Sequence, residues 1–130
     1  MNPHDKTRLL HLSSAVLLLA LIAVFSHAHA GKALSGDEVK ALITGKTVSV
    51  KRNVDGSAWK SYFADDGSAF LDNSPEKKSW HVDDKGRHCN TGVKLKCSVV
   101  ADNGDGTYSR MKPNGEPAVT WTKIVDGKSF

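Results

Sequence analysis

The chain is poor in the residues that usually announce a chemistry. Among 130 residues it has only two cysteines, four prolines and six histidines. His4, His11, His27 and His29 all precede residue 31, which leaves His81 and His88 for the rest. Cys89 and Cys97 are too far apart for the redox C-x-x-C arrangement. With two histidines beside them they fall short of the four ligands of a structural zinc site. No G-x-S-x-G nucleophile elbow occurs. No repeat of solenoid period and no low-complexity tract is present. After residue 30 no apolar run is long enough to cross a bilayer. Charge of one sign is also lacking. Lys and Arg number 18 against 14 Asp and Glu, for a formal charge of +4. Lys51-Arg52, Lys77-Lys78, Lys94, Lys96, Lys123 and Lys128 are spread among acidic residues. That pattern is a solvated surface, not a stripe that tracks phosphates, so a nucleic-acid partner is not expected.

What the sequence does have begins with an export signal. Lys6 and Arg8 precede an apolar run from Leu9 to Phe25. Ala28-His29-Ala30 then supplies the small-x-small form that signal peptidase cuts. Residues 1–30 are therefore read as a signal peptide and residues 31–130 as a single β-rich domain, periplasmic or secreted, with no stable membrane insertion after cleavage. In an oxidising compartment Cys89 and Cys97 are expected to form one disulfide. Closing that short loop is worth roughly 2–3 kcal/mol on the chain-entropy model.

The mature part opens with one helix over residues 36–44. Ser35 and Glu38 have capping-box spacing, and Gly45 suits the left-handed position after the last turn. Val39, Leu42 and Ile43 share a face. From residue 46 the hydrophobic period becomes two. About eight short strands follow, separated by Asp-, Asn- and Gly-rich turns such as Asp65-Asp66-Gly67 and Asn103-Gly104-Asp105-Gly106. The fold class is mainly β: a short N-terminal helix and then an antiparallel meander, curved into a sheet or small barrel. The expected core is Val48, Val50, Phe63, Trp80, Val82, Leu95, Val99 and Trp121. Asn73-Ser74-Pro75-Glu76 reads as an irregular loop, because proline cannot pair within a central strand. A two-residue turn at Lys85-Gly86 sets Val82 opposite Cys89, with both side chains inward. His81 then faces Asn90 and His88 faces Asp83, in water. Alternation from Val93 to Val99 likewise points Cys97 inward.

The stretches L-S-G-D-E-V-K-A-L-I-T-G-K-T-V, Y-F-A-D-D-G, W-H-V-D-D-K-G-R-H-C, C-S-V-V with G-D-G-T-Y, and W-T-K-I together resemble a family of small exported proteobacterial proteins of unknown function. The resemblance covers residues 33–126. It implies export and a small β-rich domain, and it carries over no catalytic residue.

Each candidate constellation has a plainer reading. His81, His88 and Cys89 as a metal set lack a further ligand. Asp102, Asn103 and Asp105 resemble a calcium loop. Aligning Gly106 to the invariant glycine of an EF-hand, however, puts Ala101 and Lys112 at ligand positions, so a tight turn fits better. The pairs Asp65-Asp66 and Asp83-Asp84 sit in turns, where Asp bonds locally. Trp59, Trp80 and Trp121 lie in alternating strands and belong to the core, with one of them open to a binding face. No cofactor and no metal is assigned. The functional expectation is a non-enzymatic binding protein for a small ligand or an envelope component. An envelope inhibitor or interaction module, and an enzyme with a non-obvious site, stay open beside it. Oligomeric state is not legible.

Overall fold

The computed structural model describes residues 31–92 and 96–130. The signal-peptide reading of residues 1–30 and the placement of Val93, Lys94 and Leu95 lie outside the described residues. Gly31–Phe130 forms one compact unit.

Helix α1 spans Gly36–Ile43. Its capping box is formed as the sequence implies. Glu38 N–H donates to Ser35 Oγ at 3.2 Å, and Ser35 N–H donates to Glu38 Oε1 at 3.0 Å. Two otherwise orphaned amides at the helix start are thereby satisfied. Val39 and Ile43 are fully buried and join the core. Gly45 turns left-handed at φ +72. Its N–H leaves the helix and donates to the Phe63 carbonyl at 2.7 Å, which feeds the chain straight into the sheet. At the other end the helix docks on a turn through two glycines. A Cβ on Gly36 would lie 3.2 Å from Gly86 Cα, and one on Gly86 would lie 3.0 Å from Gly36 N. Neither position has room for a side chain without a shift of backbone.

The strands are β1 (Lys32–Ala33), β2 (Lys46–Arg52), β3 (Ala58–Phe63), β4 (Ser68–Leu71), β5 (Ser74–Val82), β6 (His88–Asn90), β7 (Cys97–Ser98), β8 (Val100–Asp102), β9 (Tyr108–Met111) and β10 (Pro117–Asp126). They form one antiparallel sheet, curled into a half-barrel, in the order β1-β8-β9-β10-β2-β3-β4-β5-β6-β7. The fold class expected from the sequence is thus observed, with ten strands among the described residues rather than about eight. The two extra strands are the two-residue β1 and the division of the run after Cys97 into β7 and β8. These last two lie near opposite ends of the hydrogen-bonded order, yet only Val99 separates them in the chain. The strand passes at that residue from pairing with β6 to pairing with β9, which ties the ends of the curled sheet together.

The core fills the concave face. Val48, Val50, Phe63, Trp80 and Trp121 are all buried, as expected. Trp121 pairs with Val50 and Ile124 with Val48, although three positions separate Trp121 from Ile124. A bulge between Trp121 and Lys123 absorbs the odd residue and returns both side chains to one face. The helix packs against β2 and β5, at the end of the half-barrel where β2 begins. On the convex face Thr47 is covered by the C-terminal tail. Its Oγ1 donates to the Gly127 carbonyl at 2.6 Å and accepts from Ser129 N–H at 3.0 Å.

Several expectations are corrected. Residues 74–76 are not a loop but the start of β5, and the turn is confined to Asp72-Asn73. Ala69 pairs with Lys78 and Leu71 with Ser74, so Pro75 sits in a bulge where no ladder bond is required of it. The β5–β6 register is shifted by one residue. Val82 faces His88, His81 faces Cys89 and Trp80 faces Asn90. The cause is the turn. Asp83 N–H donates to the Arg87 carbonyl at 3.0 Å, which leaves Asp84, Lys85 and Gly86 as a three-residue loop with Gly86 at φ +79. The Asp83 carboxylate secures it by accepting from Lys85 N–H, Arg87 N–H and Arg87 Nε. A one-residue slip exchanges the two faces of a strand. His88 therefore points inward and the cysteines do not. The same inversion continues beyond Cys97: Ser98 and Val100 are buried, whereas Val99 is 39% exposed. Val82 is half-buried against the core.

Candidate functional site

The half-barrel is not filled along its whole length. At the end remote from α1, where β2 finishes at Arg52, its interior holds a cavity of about 740 Å³. Sheet register explains its walls. Trp59, Val50 and Trp121 are direct neighbours across β3, β2 and β10 and form one apolar side. Phe63, Ala69 and Leu71 continue it. Trp59 is the tryptophan left half-exposed, with the Arg52 guanidinium 5.6 Å above its ring. Trp80 is 8% exposed and donates through Nε1 to the Ala64 carbonyl at 2.8 Å. Trp121 is buried.

Two residues further along β10 and β2 the lining turns partly polar. Val100, Arg110, Val119 and Arg52 follow one another across β8, β9, β10 and β2. Arg110 thus lies between two valines. Arg110 is only 6% exposed and donates through Nη2 to the His88 carbonyl at 3.3 Å. Burial lowers its pKa to about 10, so it stays charged at neutral pH. His88 is fully buried, with its ring edge-on to Phe63 and Trp121 at centroid distances of 5.1 and 5.4 Å. Neither ring nitrogen has a hydrogen-bond partner among the described residues, and neither does Asn90 Oδ1 or Ser98 Oγ. Burial, followed by the nearby charges of Arg110 and His81, holds the His88 pKa well below its ordinary value. The imidazole is neutral: one donor and one acceptor in an aromatic setting.

The disulfide joins Cys89 and Cys97 directly across β6 and β7. It sits on the face opposite His88, and Cys89 is 2% exposed. The set His81, His88 and Cys89 is not brought together: His88 points inward, and His81 is exposed on the other face. The Asp83 carboxylate lies within 4.8 Å of both sulfurs, but the sulfurs are bonded to each other and Asp83 is held by Arg87. Asp102 and Asp105 accept from Gly104 N–H and Thr107 N–H, closing tight turns as expected. Asp66 does the same for Ser68 N–H.

Sequence reasoning missed His88, Arg110 and Asn90 as cavity residues. Arg110 left one trace. It shares the parity of Tyr108, a core-packed aromatic on the same short strand. Compared with models of protein families, with curated proteins and with solved structures, the chain matches none closely enough to establish kinship.

Proposed function

We propose that this is an exported, non-enzymatic binding protein that holds a small, largely apolar ligand inside the half-barrel. The observation that carries the reading is the cavity itself. Its volume of about 740 Å³ falls within the roughly 300–1,000 Å³ of small-molecule sites. Its walls combine broad apolar surfaces, Val50, Trp59, Phe63, Leu71 and Trp121, with a few polar groups that can orient a ligand. Export is supported by the apolar run Leu9 to Phe25 followed by Ala28-His29-Ala30, and by the disulfide. No helix among the described residues is long and apolar enough to cross a membrane. A binding role is favoured over catalysis because no carboxylate or thiol among the described residues lines the cavity.

Two measurements test this. Native mass spectrometry of protein purified from its own periplasm should show an added mass that denaturation releases. Titration with the neutral probe N-phenyl-1-naphthylamine should give saturable fluorescence at one site per chain. Protein that carries no added mass and gives no saturable probe binding would overturn the reading.

A further inference from the structure

The cavity's charged groups are all of one sign. Arg52, Lys78, Arg110 and Lys112 line it, and no Asp or Glu among the described residues does. The carboxylates that do meet these cations lie outside. Asp55 reaches Arg52 at 3.3 Å and Glu76 reaches Lys78 at 3.6 Å, each from a position half or more exposed. Arg52 and Arg110 stand on either side of Val119 in one cross-strand row of the inner face. The positive charge therefore extends from the mouth to the deepest part of the site. A concave, low-dielectric wall focuses such a field inward. Beside it the fully buried His88 leaves a donor and an acceptor without partners among the described residues.

We infer that the ligand is an amphipathic anion: an apolar body lies against Trp59, Val50 and Trp121, and a carboxylate or similar acidic head lies on the Arg110 side. This rests on the half-barrel being a ligand site, and it adds the ligand's chemical class. A neutral apolar molecule of the same size fills the same volume but gains nothing from a lining whose charged groups are all positive. A cation is disfavoured at every depth.

The test separates the two levels. N-phenyl-1-naphthylamine, which is uncharged, reports on the cavity alone. Its displacement by dodecanoate and by dodecan-1-ol then compares two ligands that differ in the head group. The acid is expected to displace the probe at least about tenfold more tightly than the alcohol, as one charge-assisted hydrogen bond provides. The ratio should shrink towards one in Arg110→Met. If that variant does not fold, Arg52→Gln/Lys112→Gln at the exposed mouth, and wild-type protein in roughly 0.5 M salt, should each narrow the ratio. Probe binding with equal displacement by acid and alcohol, or a ratio indifferent to salt and to both variants, would overturn the inference and leave the ligand site standing. Failure of the probe to bind would remove both.

Discussion

The two sides of the half-barrel are built on different terms. On one side β2 pairs with β3 and β10 along nearly its whole length, and its inward residues Val48 and Val50 are apolar and buried. On the other, β6 and β7 have three and two residues, and their inward positions hold His88 and Ser98. The first side draws its stability from hydrophobic burial, which needs no partner atoms. The second gives up part of that stability, since buried polar groups without partners are costly. It is held instead by a covalent bond on its outer face, Cys89 to Cys97. A long apolar wall and a short, stapled polar wall together leave an interior that is stable without being full.

The sharpest break in this contrast should come from the apolar wall. Trp121→Ala is expected to cost about 3–5 kcal/mol, the range for emptying a buried aromatic site, read from the midpoint of urea unfolding. On the stapled wall, reduction of Cys89–Cys97 should cost roughly 2–3 kcal/mol. Hydrogen exchange should then quicken first in β6 and only later in β2. Equal loss of protection in both strands would erase the distinction between the two walls.

The polar wall should also make stability depend on pH. Unfolded chains take up a proton on histidine as pH falls through about 6.5, whereas folded His88 resists protonation. Stability is thus fully present above that pH and declines below it, by at most about 1.4 kcal/mol per pH unit, until the folded pKa is reached. Between pH 7 and 5 the turn carboxylates Asp66 and Asp83, whose pKa values are lowered by hydrogen bonds, stay ionised. In that window the slope should vanish in His88→Phe. The smallest expected effect lies at the helix. Ser35→Ala should cost about 1 kcal/mol through loss of the N-cap, measured as a shift in denaturant midpoint at unchanged slope.

The same contrast governs what the sequence makes legible. The capping box and the alternation of Val48 and Val50 are local, and both hold in the structure. The face of β6 is not a local matter. His88-Cys89-Asn90 is too short to declare a side by composition, so its register hangs on whether the turn after Asp83 has two residues or three. The Asp83 carboxylate decides for three by binding Lys85, Arg87 N–H and Arg87 Nε together. Val99 misleads for a related reason. It looks like the end of an apolar alternation but marks the point where the strand changes neighbours. The cavity is legible least of all, because Arg52, Arg110 and Val119 become neighbours only when β10 inserts between β9 and β2. No spacing within the chain encodes that meeting.

The unfilled end of the half-barrel is proposed as the binding site. Ala118 is half-buried on the cavity wall, outside the apolar core cluster. Ala118→Trp should therefore occupy the cavity and leave the unfolding midpoint nearly unchanged. Titration of this variant with N-phenyl-1-naphthylamine beside the wild type is the most direct measurement. Saturable one-site binding to the wild type and its loss in Ala118→Trp are expected. Equal binding by the two folded proteins would place the probe elsewhere and contradict the account.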